Sequence, residues 1–201
     1  MAAFSRAPLL PALGGAVAIY DTGTAEHSTR VAQASRAMAE RLGMSEQDVE
    51  AISWAGMLHD LGKLGVGVDV LRKKGPLDEN DWAQIHRHPI IGSDLVLAIS
   101  PELAPIAEAI RAHHERWDGS GYPDHLAGGD IPALGRIVAI ADAYDSMTQA
   151  RPYRARRLSA AHALEEIRKG AGRQFDPGLV PIFIGLHAPG SIAPASAREP
   201  A

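Results

Sequence analysis

"HSTRVAQASRAMAERLG", residues 27–43, decides the fold class. Val31, Ala34, Met38 and Leu42 recur at steps of three and four, which places them on one helical face and is foreign to the two-residue alternation of a strand. His27 lies in line with Val31 on that apolar face, and Gly43 ends the helix. The same grammar continues outward. Ser45 is placed to cap a helix through Val49, Ile52 and Gly56 to His59. "LGKLGVG" (61–67) is a glycine-broken turn. Asp78 caps a segment through Trp82 and Ile85, and Pro89 marks a bend or the first turn of the next helix. Residues 101–112 read as a helix opened by Pro101, 118–130 as a loop rich in Gly and Asp, and Pro132 starts the long helix "PALGRIVAIADAYDSMTQA". Residues 159–169 make another helix, and Asp176–Pro177 begins a last short one. Strand alternation and internal repeats are absent. The expectation is an all-α, single-domain helical bundle.

Composition sets the bounds. The chain has 201 residues, 46% of them hydrophobic, which suits one domain with a real core. Aromatics are only 5%, so alanine and aliphatic side chains must build that core. A net charge of −4 argues against a nucleic acid polymer as partner, while a local cationic pocket for a small anion stays open. Cysteine is absent, which excludes disulfides, thiolate metal sites and thiol catalysis, and suits a cytoplasmic protein. Any transition-metal site must therefore draw on the nine histidines and the carboxylates. Residues 8–20 are apolar but short and broken by Pro and Gly, so no membrane span is expected. Residues 1–19 are expected as a leader or helix edge, 20–188 as the folded domain and 189–201 as a flexible tail.

The functional signal lies in polar residues where helices expect apolar ones. His27 and His59 sit on apolar faces, Asp60 follows His59, and Asp142 interrupts "RIVAIADAY" one turn after Val138. A buried carboxylate without a partner is costly, and a metal ion reverses that cost. Each residue alone has a plainer reading. A single core histidine is usually just hydrogen-bonded, and Asp142 could pair with Arg136 or Arg151. Taken together, His27, His59–Asp60, His88, His113–His114 and Asp142 stand on separate helix ends, which a bundle can gather around one cavity. Lys63 and the arginines after the Asp142 helix (Arg151, Arg154, Arg156 and Arg157) add the charge a phosphate ester needs, although Arg156 and Arg157 read best as a solvated face.

With these residues in view, "HDLGK" (59–63), "HHERWDGSGYP" (113–123), "IADAYDSMT" (140–148) and "RPYR" (151–154) resemble the HD-GYP domains, a branch of the HD metal-dependent phosphohydrolases. "HS.RV" at 27–31 and "H.HP..G" at 86–92 fit in the same order, and the resemblance covers residues 20–185. It implies an α-helical bundle that hydrolyses cyclic di-GMP to the linear dinucleotide pGpG and in some members on to GMP. Carried over by position, the metal ligands are His27, His59, Asp60, His88, His113, His114 and Asp142, with Asp60 bridging two divalent ions. Iron or manganese are the first choices, with zinc, nickel or magnesium as alternatives. Asp60 and Lys63 are the catalytic positions, Lys63 beside the scissile phosphate. Tyr122, Arg151 and Arg154 fall where the family contacts the cyclic dinucleotide, and Glu115 could orient a ligand histidine.

The departures from the family pattern are informative. Members with three metals carry glutamate four residues before the first ligand histidine; here that position is Gly23, and Glu26 points elsewhere. Two metals and slow GMP formation are therefore expected. Arg154 replaces a lysine of some members, and the turn after Lys63 lacks the usual proline. Two rivals stand beside the cyclic di-GMP reading. One is hydrolysis of another cyclic or linear nucleotide, because phosphate contacts are blind to the base. The other is a catalytically weak module that binds cyclic dinucleotides or a GGDEF-domain protein, with regulation supplied by a partner. Alanine-rich helices also permit a homodimer. His86, His125, His162 and His187 match no ligand position and read as surface or packing residues.

Overall fold

A computed structural model describes residues 12, 13, 15, 24–149 and 157–187. The described chain is helical, and its only β feature is an isolated bridge between Ala171 and Phe175. The all-α expectation holds. The proposed leader and tail, and the segment carrying Arg151 and Arg154, lie almost wholly outside the described residues.

Local signals set most element ends. Helix α1 (Thr24–Arg41) stops before Gly43, whose φ of +68° is the left-handed geometry that a helix C-terminus favours. Val31 and Met38 are fully buried, but Leu42 lies beyond the helix end and is exposed, so the apolar face is one position shorter than its spacing suggests. Helix α2 (Glu46–Leu58) is capped by the Ser45 side chain, which accepts from the Asp48 amide. A 3₁₀ turn (Leu61–Gly65) and the one-turn α3 (Val68–Leu71) follow. Asp78 and Asp81 close a reciprocal capping box on α4 (Glu79–Ile85). Helix α5 (His88–Ile99) accommodates Pro89 in its first turn. Pro101 opens a 3₁₀ turn (Pro101–Leu103) rather than the following helix, α6 (Ala104–Ala112). The long α7 spans Ala133–Thr148, α8 spans Ala160–Lys169 behind its Ser159 cap, and α9 spans Leu179–Leu186.

Helices α1 and α2 pack together, as do α5 and α6, and α7 lies against α1, α2 and α6. Helices α8 and α9 pack on α7. The core consists of Met38, Ile52, Leu58, Ile106, Ile110, Ile137, Ile140 and Phe183, all essentially without solvent contact. Aliphatic burial supplies the main driving force, about 1.5–3 kcal/mol for each such side chain. Helices α1, α2, α5 and α6 begin or end at one polar centre, which the middle of α7 completes with Asp142. No described helix is long and apolar enough to cross a membrane.

Candidate metal centre

Three of the centre's histidines are held by one local device. His59 caps α2, His113 caps α6 and His88 opens α5 just after α4 ends. In each, Nδ1 lies within 2.8 Å of the backbone carbonyl three residues earlier: Gly56 for His59, Ile85 for His88 and Ile110 for His113. A carbonyl can only accept, so Nδ1 must be the protonated nitrogen. These are carbonyls that a helix C-terminus leaves without partners, so the end of the helix itself selects the tautomer. Each Nε2 is thereby left as a lone-pair donor aimed into the centre.

The consequence is a cluster of lone pairs that no proton satisfies. His88 Nε2 and His113 Nε2 stand 3.3 Å apart, acceptor against acceptor. His59 Nε2 is buried without a hydrogen-bond partner. It lies 3.3 Å from Asp60 Oδ2 and 3.9 Å from Asp142 Oδ1, and Asp60 Oδ1 is 3.5 Å from His88 Nε2. Such an array is unfavourable alone and favourable around a cation. Three groups have ligand atoms mutually within 4.8 Å: His27, His59 and Asp142; His88, His113 and His114; and His59, Asp60 and His113. All seven side chains expected as ligands fall in these groups, and the all-N/O donor set fits a divalent transition metal.

Charge follows the same geometry. Burial pushes the Asp60 carboxyl up, but Lys63 and the surrounding imidazoles outweigh it and hold the group well below the usual carboxylate range. Asp142 is likewise kept ionised against burial, by its hydrogen bond to His27 and the nearby histidines. Burial, reinforced by neighbouring imidazoles, keeps His113 neutral; burial dominates at His114, which falls to about 3. His27 goes the other way. Burial opposes its charge, but hydrogen bonds to Asp142 and Asp145 raise it to about 9.

The HD domain family matches residues 13–179 of the sequence. The chain belongs to the HD domain family. It is 38% identical over 195 residues to the cyclic di-GMP phosphodiesterase response regulator RpfG of Xanthomonas campestris, covering 94% of this chain and 51% of that protein. A cyclic di-GMP phosphodiesterase of Thermotoga maritima is 40% identical, covering 83% of this chain and 45% of its own length. A 3'3'-cGAMP-specific phosphodiesterase of Vibrio cholerae is 37% identical, covering 86% and 33%. The chain thus spans about half or less of these relatives. In fold, the HD domain superposes on the solved cyclic GMP-AMP phosphodiesterase of V. cholerae with a TM-score of 0.68 at 22% identity, covering 89% of this chain and 48% of the other. The relatives' names agree with the resemblance to HD-GYP domains.

Two residues of this HD domain escaped sequence reasoning. Asp145 Oδ2 accepts from His27 Nδ1 at 2.7 Å, while Arg30 holds Asp145 through Nε at 2.6 Å and Nη2 at 3.1 Å. His27 and Arg30 are three apart on α1, and Asp142 and Asp145 are three apart on α7. Two facing i,i+3 pairs were the available signal. Asp142 does not pair with Arg136, which instead binds Asp176 at 2.6 Å. Among the described residues, Glu115 makes no hydrogen bond to the histidines. Its carboxylate accepts from the amides of Asp124 at 2.6 Å and Leu126 at 3.2 Å, pinning the Gly-Tyr-Pro loop. Lys63 Nζ is 2.7 Å from Asp60 Oδ2. Glu26 is 90% exposed and pairs with Arg30. Tyr122 packs on His114, with ring centroids 4.8 Å apart. His86, expected as a plain surface or packing residue, stacks on Tyr122 at 4.1 Å.

Proposed function

We propose that this chain is a metal-dependent phosphodiesterase that hydrolyses cyclic di-GMP to linear pGpG, with GMP formed slowly at most. The observation that carries the reading is the buried set of inward-facing imidazole nitrogens and ionised carboxylates, with His59 Nε2 left without a proton partner. His27, His59 and Asp142 would hold one ion and His88, His113 and His114 a second, with Asp60 between them. Iron or manganese suits these donors best, with zinc, nickel or magnesium as alternatives. When bound, such ions lower the pKa of a water and add positive charge beside the phosphoryl oxygens.

The chain's own residues do the rest. The Nδ1 hydrogen bonds hold the imidazoles rigid, so little reorganisation accompanies reaction. Lys63 places a cation beside Asp60, where it supports the leaving oxygen. Water adds to phosphorus, the P–O3′ bond breaks, and O3′ takes up a proton. Tyr122, Arg151 and Arg154 complete the substrate contacts, and residues 20–188 form the catalytic unit. A GGDEF-domain partner and a homodimer belong to the same proposal, and co-purification and sedimentation read them.

A second substrate has specific support, because relatives of similar identity are named for 3'3'-cGAMP. The test is a panel. Protein reconstituted with Fe²⁺ or Mn²⁺ is incubated with cyclic di-GMP, 3'3'-cGAMP and cyclic di-AMP, and products are separated by chromatography. Fastest conversion of cyclic di-GMP to pGpG is expected. Faster loss of 3'3'-cGAMP selects the second substrate. Binding without turnover of any of them returns the chain to a binding role.

A further inference from the structure

A row of rings runs outward from the candidate metal centre. His114 contacts His113 and His88 on one side and stacks on Tyr122 on the other. Tyr122 stacks on His86 at 4.1 Å and 23°, and His86 meets Trp82 at 5.6 Å. Two imidazoles therefore already stack on Tyr122.

The open end of the row is Trp82, which is 48% exposed although it is the largest apolar side chain on α4. Its position is built. The Asp78–Asp81 capping box fixes the start of α4, and the His86 amide donates to the Trp82 carbonyl at 2.8 Å, closing its last turn. The indole is thus half exposed on a fixed helix, three ring contacts from His114.

We infer that the exposed indole of Trp82, at the end of this row, forms a stacking floor for one purine base of the cyclic dinucleotide, outside the ring of metal ligands. The inference rests on the phosphodiesterase reading. Its chemistry is that of single-stranded nucleotide sites, where an aromatic face accepts any purine and a separate polar site holds the phosphate. It also assigns a division of labour: the centre acts on the phosphate while α4 supplies affinity for the base.

The test is steady-state kinetics on metal-loaded wild type, Trp82→Ala and Trp82→Phe with cyclic di-GMP, alongside metal content and sedimentation. Stacking of this kind corresponds to about 5- to 150-fold in affinity. Trp82→Ala is expected to raise KM within that range, with kcat changed less than about threefold and bound metal unchanged. Trp82→Phe should recover most of the loss, which a purely structural effect of truncation would not arrange. An unmoved KM in an active Trp82→Ala protein overturns the subsite alone, as does a change in oligomeric state with KM unmoved. A wild type that consumes no cyclic dinucleotide overturns the phosphodiesterase reading and the subsite with it.

Discussion

In the proposed metal centre, His27 is the residue on which protons and metal would compete. In the metal-free protein its imidazolium sits between Asp142 and Asp145 and keeps its proton up to about pH 9. A metal at Nε2 must displace that proton, so apparent affinity should rise with pH and level off above about 9. His114, lowered to about 3, is neutral throughout and adds nothing to this slope. Stability of the metal-free form runs oppositely. A pKa raised in the folded state stabilises fully below the unfolded value near 6.5 and loses that contribution as pH passes 9. Metal titrations at pH 6, 7 and 8, with proton release read in buffers of different ionisation enthalpy, check the first direction, and denaturant midpoints of the metal-free protein from pH 6 to 10 check the second; affinity falling as pH rises would contradict the scheme. Asp145 acts through His27, because it fixes the ring's orientation and Arg30 fixes Asp145. Asp145→Ala should weaken metal binding about 10- to 100-fold in competition with a chelator. The clustering of these seven side chains was legible because each is a polar residue at an apolar position within an ordered motif. Asp145 was not, since its partner stands 118 positions away and only the packing of α1 on α7 reveals the pair.

At the scale of elements, the site depends on how closely helix ends approach. Gly62, in the 3₁₀ turn after Asp60, lies so near α5 that a Cβ would fall on the His88 carbonyl oxygen and within 2.6 Å of the Gly92 amide nitrogen. The contact places Asp60 and His88 side by side. Gly62→Ala should therefore destabilise the fold by about 1–3 kcal/mol, read from denaturant midpoints, and should lower metal content as well. Unchanged metal content in a folded Gly62→Ala protein would show that this approach does not position the ligands. Gly121 has a parallel role in the Gly-Tyr-Pro loop, where a Cβ would meet His114 O and Glu115 Cα, each at 2.6 Å. The caps at Ser45 and Asp78 were legible because their signal is local. The 3₁₀ turn after Pro101 and the outward position of Leu42 were not. Spacing defines which residues could share a face, whereas the helix end decides how many of them do.

For the whole molecule, the helices act as a frame that presents buried lone pairs and carboxylates to one point. Metal should then be part of stability as well as chemistry. Removal by chelator is expected to lower Tm and restoration to raise it, by an amount set by the free metal concentration relative to its Kd. A Tm indifferent to metal would mean that the centre is satisfied without it. The family and the bundle were readable because the motifs lie in order along nearly the whole chain. The ring row from His114 to Trp82 was not, because α4 and the Gly-Tyr-Pro loop meet only in three dimensions. The central claim is that the seven histidine and aspartate side chains form a metal centre that cleaves a cyclic dinucleotide. The most direct test is a side-by-side measurement of bound metal and pGpG formation from cyclic di-GMP, in wild type and in Asp60→Ala. The account predicts about two metals and steady pGpG release in wild type, with both reduced in Asp60→Ala. Turnover equal to wild type in a metal-replete Asp60→Ala protein would contradict it.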